Sequence, residues 1–514
     1  MCQEADIKRT QRLHDLIAII LLALATLAAN ARGGTAVAGA GLDRHAAAPA
    51  LPEASMAGAT IRLVSRAMDG APANGWSLEP SLSANGRYVA FASGADNLVA
   101  GDQNGWDIFV RDLQTGHVDL VSVASDGAQA NDTATEPAIS GDGRYVAFSS
   151  NASNLAPDAP GIEAAIYVRD RVVDVTNIVS VASDGTQANS WSAAPSISDD
   201  GRYVAFVSNG SNLVPDDTNQ CLFREAGCPD IFVHDRQTGE TERVSVASDG
   251  TEGNGESSEP AISADGRFVA FQSWASNLVS GDNNHHTDIF VHDRQTGETR
   301  RVSIASDGTE ANHRSFRPAI SADGRTVAFM SEASNLVAGD TNICVTPAGM
   351  RSCYDVFVHD RQTGKTTRVS IASDGTEGNG DVGYPGALSL SADGRYVAFI
   401  SEASNLAAGD TNGVADYFIH DRVSGETRLL AAAVDAAAAS LSGFEADFSG
   451  DGRHFVFVSE SQDLVTHDGD DFTYIYLYDG RMLALNEEAG AAGSVFAVSG
   501  KGYAALGHAE VAAP

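Results

Sequence analysis

Cationic side chains, cysteine and long apolar runs are all scarce in this sequence. Lys and Arg number 33 against 68 Asp and Glu in 514 residues, a formal charge of −35 at neutral pH. A surface of that sign repels nucleic-acid phosphates and anionic headgroups, so neither is an expected partner. It suits cationic partners, divalent cations or plain solubility, and much of it is turn-forming Asp. The longest apolar run, Leu16 to Ala29, has 14 residues and is too short for a membrane span. Lys8, Arg9 and Arg12 precede it, and Ala29-Asn30-Ala31 follows with the small residues of a cleavage site. That order predicts a secretory signal peptide over residues 1–31 and an exported, soluble product, periplasmic or extracellular. Cys2 lies ahead of the run and is not a lipid-anchored cysteine.

Beyond the signal only Cys221, Cys228, Cys344 and Cys353 remain. An even count in an oxidising compartment predicts disulfides, each pair stapling its own loop: Cys221–Cys228 and Cys344–Cys353. Zinc is the rival reading, and the spacings without a nearby His pair suit it poorly. No G-x-S-x-G elbow, H-E-x-x-H helix or P-loop occurs. The S-A-D-G-R turns also lack the S-x-D-x-G-x-T-W spacing of sialidase repeats.

A repeat is what the sequence does contain. The stretch Arg301 to Asp360 holds four β-type runs, RVSIA, PAIS, TVAFMS and DVFVHD, each bounded by Asp, Asn, Gly or Pro. Its turn Asp323-Gly324-Arg325 recurs at Gly86, Gly143, Gly201, Gly266, Gly394 and Gly452, with successive glycines 57, 58, 65, 58, 70 and 58 residues apart. Four strands at a near-constant period are the signature of a β-propeller. The pattern P-x-[IL]-S-x-[DN]-G-R-x-[VF]-[AV]-F-x-S, then D-[IV]-F-V-x-D-R, resembles the TolB-like propeller repeat, a relative of the WD repeat. The resemblance spans Ile61 to about Ala509 and implies envelope-associated protein interaction.

The expected fold is therefore all-β: one propeller of four-stranded antiparallel blades over residues 59–514, after an Ala-, Gly- and Pro-rich lead-in at 32–58. Seven four-strand sets are traceable, the last ending with Arg481–Asn486. Ser494–Ser499 and Tyr503–His508 match the first two strand types, and the N-terminal IRLVSRA matches an outer strand. Joining these into a composite blade predicts eight blades closed by the N-terminal strand, with seven as the alternative.

Four-strand topology puts the Asp-Gly-Arg and Asp-Arg-Gln-Thr-Gly turns on one face. The long SNLVxGDTN loops and the ASDGTxxN connections share the other, which carries the length variation and is the expected working face. Its loops repeat D-x-N…D: Asp102, Asn104, Asp107; Asp282, Asn284, Asp288; Asp410, Asn412, Asp416; and likewise at Asp217 and Asp340. Such oxygens can surround calcium, and equally bond their own backbone in turns. No EF-hand pattern accompanies them, and the second blade breaks the series at Ala165.

Glu79, Glu136, Glu259 and Glu445, with Arg317, recur near the innermost strands, where a channel mouth can hold a ligand or an acid–base pair. His234, His292, His359 and His420 repeat once per blade and are expected to be structural or exposed. His285-His286, in a variable loop, is the better ligand candidate. The leading functional reading is a non-enzymatic, monomeric platform for a protein, peptide or envelope glycan. The alternative is a funnel-site lyase, lactonase or glycosidase using metal or paired carboxylates.

Overall fold

The computed structural model describes residues 54–56 and 59–479, apart from 104, 158–162, 216, 220–226, 347–348, 383–387, 412, 414, 431–445, 460–463 and 465–471. Seven antiparallel sheets of four or more strands follow one another along the described chain, with one two-stranded hairpin in a loop of the fifth. The first consists of Ser77–Leu82, Tyr88–Ser93, Asp107–Asp112 and Val118–Leu120, paired in that order from inner to outer strand. Later sheets open with inner strands Ala134–Ile139, Ser192–Ile197, Ser257–Ile262, Ser315–Ile320, Leu388–Leu390 and Ala446–Phe448. Inner strands of successive sheets lie side by side, as do the faces of the sheets themselves. The protein is a seven-bladed β-propeller.

Eight blades were the expectation, and the seventh sheet corrects it. Ala59–Leu63 pairs with Tyr474–Asp479 in the register Ile61↔Tyr478. It thereby fills the outer place for which Arg481–Asn486 had been the candidate, and Ala54–Met56 pairs on outside it. The N-terminal strand is used there and is not left over for an eighth sheet. Arg481–Asn486, Ser494–Ser499 and Tyr503–His508 lie outside the described residues, as do residues 1–53 with the expected signal peptide.

Each S-x-D-G-R turn is a closed hydrogen-bonded unit. The Ser140 hydroxyl donates to Asp142 Oδ1 at 2.9 Å and accepts the Tyr145 N–H at 2.9 Å, while Asp142 Oδ1 also accepts the Arg144 N–H. The same three bonds recur at Ser198, Ser263, Ser321, Ser391 and Ser449. Strands leaving these turns bury both faces: Val146, Ala147 and Phe148 are all 0% exposed. A blade has no solvent side because both of its faces meet neighbours, so alternation fails as a guide here. The small Ala lets adjacent sheets approach, and the flanking Phe side chains fill what remains. Phe148 stacks on Tyr167 within its blade, and Phe206 on Phe232 and Phe271 on Phe290 repeat the contact.

Glycine is required at the turn for two reasons. Gly143 has φ +79°, and a Cβ there would lie 2.1 Å from Tyr88 Cδ2 of the preceding blade. Gly127 has φ +87° but open space around it. Gly127→Ala should therefore cost only the left-handed backbone term, about 1–2 kcal/mol. Gly143→Ala adds overpacking of about 1–3 kcal/mol. Urea denaturation of both variants should rank Gly143→Ala clearly the less stable; equal losses would contradict the packing argument.

Candidate functional site

The two ends of the propeller differ in how much they repeat. At the lower end, Asp-Gly-Arg arginines fork onto the last Asp of each third strand: Arg87–Asp112, Arg144–Asp170, Arg202–Asp235, Arg267–Asp293, Arg325–Asp360 and Arg395–Asp421, at 2.6–3.0 Å. A second arginine reaches back to the preceding blade. Arg236 lies over the Tyr145 ring at 4.3 Å and donates to Gly201 O; Arg294 does the same with Tyr203 and Gly266. The repeated histidines belong to this belt. His234 Nδ1 meets Thr241 Oγ1 at 2.8 Å, and that hydroxyl donates to Val181 O of the blade before. With the hydroxyl proton so used, Nδ1 is the donor. Burial lowers His234, His359 and His420 to about 4. These histidines are structural, as their one-per-blade spacing implied.

At the axis, Glu79, Glu136, Glu259 and Arg317 lie within the inner strands, one step further in than the sequence had placed them. Each stands at a β-bulge with φ of 54–57°, immediately before a proline, as Ala194 does at φ 50°. A bulge turns its N–H away from its own ladder, and at three of the five the preceding blade accepts it. Glu79 Oε2 accepts the Glu136 N–H at 2.5 Å, Glu136 Oε2 the Ala194 N–H at 2.8 Å, and Gln272 Oε1 the Arg317 N–H at 3.0 Å. Asp447 Oδ2 likewise accepts the Leu82 N–H, linking the seventh sheet to the first. Burial raises the Glu136 carboxyl. Glu79 and Glu136 thus act on backbone amides; Glu259 is exposed, Arg317 is half-buried, and Glu445 lies outside the described residues.

The D-x-N…D loops at the upper end contain an arginine that the sequence reading did not connect to them. Carboxylate oxygens of Asp282, Asp288 and Glu310 lie within 4.8 Å of one another, a spacing that could hold a metal ion. Arg301 Nη1 stands among them, 3.5 Å from Asp282, 3.3 Å from Asp288 and 2.5 Å from Glu310. Arg368 stands likewise among Asp340, Asp355 and Glu377, and Arg243 among Asp217, Asp230 and Glu252. Asn284 Nδ2 ties Asp288 to Ala311 O, and Asn219 and Asn342 do the same in their blades. Blade 1 keeps Asp102 and Asp107, and blade 6 keeps Asp410 and Asp416; Asn104 and Asn412 lie outside the described residues. Burial and the Asp107 charge push Asp102 up to about 6. Cys344–Cys353 is a disulfide closing the hairpin Ile343–Thr346/Gly349–Ser352. Cys228 is disulfide-bonded too, and Cys221 lies outside the described residues.

Uniformity ends at the rim above the inner strands. Ahead of six of the seven inner strands stand Trp76, Thr133, Trp191, Glu256, Arg314 and, further upstream in its blade, Asp381; their carbonyls accept from Gly94, Asn151, Asn209, Trp274, Glu332 and Glu402 after the second strand. All four tryptophans of the chain sit at this end, Trp106 immediately before a third strand. Trp274 is 53% exposed and Trp76 37%. Blades 5 and 6 carry charge there instead: Arg314 pairs with Glu332 at 2.9 Å, Arg351 pairs with Asp381, and Arg351 covers the Tyr354 ring at 3.9 Å. His286 stacks on His313 with ring centroids 5.1 Å apart, while His285 is exposed with φ 58°. Sequence reasoning missed the tryptophans. The signal was available in the repeat register, at positions that vary between blades while their neighbours stay nearly constant.

No family profile matches the chain, and no curated protein sequence matches it. Solved structures do. An oligogalacturonate lyase in complex with manganese matches with a TM-score of 0.51 at 13% identity, over 85% of this chain and 97% of that one. TolB from Acinetobacter baumannii matches at 0.35 and 16% identity, over 70% and 64%. An acylaminoacyl peptidase matches at 0.46 and 15% identity, over 79% of this chain and 51% of its own. Likeness at this identity is one of fold. In that sense the chain is a β-propeller, and its structural neighbours include both enzymes and TolB.

The lower belt makes a pH prediction. Arginine hydrogen bonds hold Asp112, Asp235, Asp293 and Asp360 below the ordinary carboxylate range, with Asp235 and Asp293 at about 2. At Asp170 and Asp421 burial opposes this, and the arginine and backbone bonds still leave both lowered. A depressed folded value means stability present above 3.8 and lost as pH falls toward 2. Between 6.5 and 4 the neutral histidines lose stability, while buried carboxyls such as Asp230 and Asp340, raised to about 6 and about 7, gain it. Thermal melts should therefore fall most steeply below pH 4. A steep loss already complete at pH 5 would contradict the belt's role.

Proposed function

We propose that this chain is an exported binding module that grips an envelope glycan with the upper rim of its propeller. The carrying observation is the confinement of all four tryptophans to that rim, two of them substantially exposed. Flat aromatic faces with polar neighbours suit ligands that have an apolar face and a hydroxyl edge. The paired charges of Arg314, Glu332, Arg351 and Asp381 supply hydrogen-bonding edges on the adjoining arc. A disulfide fits an oxidising compartment, periplasmic or extracellular, reached through the N-terminal signal segment. No helix among the described residues is long and apolar enough to cross a membrane. In this reading Ala59–Leu63 latches the ring shut and the protein works as a monomer.

The second reading is a funnel enzyme of lyase, lactonase or glycosidase type. The propeller shared with oligogalacturonate lyase favours it. The use of Glu79 and Glu136 as backbone acceptors weighs against an acid–base pair there.

Labelled protein applied to an array of bacterial envelope polysaccharides and peptidoglycan fragments tests the first reading. Wild type should retain at least one glycan, and Trp76→Ala/Trp274→Ala should weaken it at least tenfold with an unchanged melting temperature, both side chains being exposed. Equal retention by the two proteins, or no retention by wild type, would rule out the tryptophan rim as a glycan site.

A further inference from the structure

The upper loops of the blades form a natural comparison set. In blades 3, 4 and 5 the Asp pair is joined by an outer-strand arginine and by a glutamate from the following connection. Arg243, Arg301 and Arg368 occupy one register place, opposite Phe232, Phe290 and Phe357. Glu252, Glu310 and Glu377 occupy another, bridged to Val246, Ile304 and Ile371. Blade 2 has lost the set together: Ala165 begins the third strand, Ile178 stands opposite Tyr167 and Gln187 is bridged to Val181. Joint presence in three blades and joint loss in a fourth mark the arrangement as a cation cradle in which the guanidinium is the cation.

Blades 1 and 6 break that rule. Leu120 stands opposite Phe109 and Leu429 opposite Phe418, so neither blade has the arginine, and Gln129 replaces the glutamate of blade 1. Both nevertheless keep the two aspartates. Asp410 is 9% exposed, and neither of its carboxylate oxygens has a hydrogen-bond partner among the described residues. Its counterparts Asp217, Asp282 and Asp340, whose side chains are 3–6% exposed, each face a guanidinium nitrogen at 3.1–3.5 Å. In blade 1, Asp102 Oδ1 is likewise buried without a partner among the described residues, while Asp107, 6% exposed, accepts from the Ser122 hydroxyl through Oδ1. A buried carboxylate without a counter-charge is strongly disfavoured unless it takes up a cation or a proton.

We propose that blades 1 and 6 each bind a divalent cation of the calcium type, Asp102 with Asp107 and Asp410 with Asp416, in the place that arginine fills in blades 3, 4 and 5. All-oxygen ligands and a loop site suit a hard cation, which completes its shell with backbone carbonyls and water. These two blades flank the seventh sheet, in which the N-terminal strand pairs with Tyr474–Asp479. Bound cations would therefore brace the two neighbours of the sheet that both ends of the described chain share.

The test is calorimetric titration of CaCl2 into the full chain after stripping with EDTA, with MgCl2 as the control. Two calcium equivalents are expected, with magnesium at least tenfold weaker. Asp102→Asn and Asp410→Asn should each remove one equivalent. Should either variant fold poorly, Leu429→Arg, and Leu120→Arg with Gln129→Glu, restore the arrangement of blade 4. Each should abolish the calcium of its own blade while keeping the melting temperature of the calcium-loaded wild type. No calcium heat at millimolar concentration, or two equivalents surviving in the arginine variants, would overturn the proposal. The glycan array is indifferent to this outcome when run on the rim variants, so the two readings fail separately.

Discussion

Contact between neighbouring blades is the constraint on which the rest of this structure depends. A four-stranded sheet with both faces apolar cannot exist alone in water, and each blade here is buried only because two others cover it. The contact is made specific at the lower end. A glycine with no Cβ lies against an aromatic ring of the blade before, and an arginine from the later blade covers the same ring. One residue motif therefore serves two purposes: D-G-R closes a hairpin within its own blade and supplies the surface on which the preceding blade packs. The threonine–carbonyl bonds and the bulge amides at the axis add polar links across the same interfaces. Each of these bonds removes a backbone group that burial would otherwise leave unpaired.

Much of this was legible beforehand because a repeat reports its own structure many times over. Strand type, strand order, the two classes of turn and the structural role of the histidines all follow from residues that recur in one register. The blade count was not legible. Strand types identify a position within a blade but not its partner, and an outer strand at the N-terminus can complete any sheet that lacks one. The pairing of Ile61 with Tyr478 decides this, and nothing in either segment's composition announces it. The arginine in the acidic loops escaped notice for a similar reason. Arg301 follows Asp288 by an entire strand and turn, and they meet only through the pairing of third and outer strands.

Conservation among the seven copies and variation among them carry different information. Where the copies agree, at the lower belt and between the sheets, the residues are explained by packing. The upper rim is where they disagree, and packing demands nothing there of a half-exposed tryptophan or a paired arginine. A rigid ring that individualises only one of its ends has the form expected of a scaffold presenting a surface. The upper loops show the same logic one layer further out, with arginine, leucine or isoleucine at a single register position setting the charge of each cradle.

The interlock between blades is open to direct measurement by a double-mutant cycle on Tyr203 and Arg294, whose guanidinium lies 4.3 Å from the ring centroid. Stabilities of wild type, Tyr203→Leu, Arg294→Met and the double variant by chemical denaturation yield the coupling across one interface. A coupling of about 1 kcal/mol is predicted for a half-buried cation–π pair that also packs on glycine. Losses that add to within about 0.3 kcal/mol would show that the two side chains act independently and that blade-to-blade contact is not built as described.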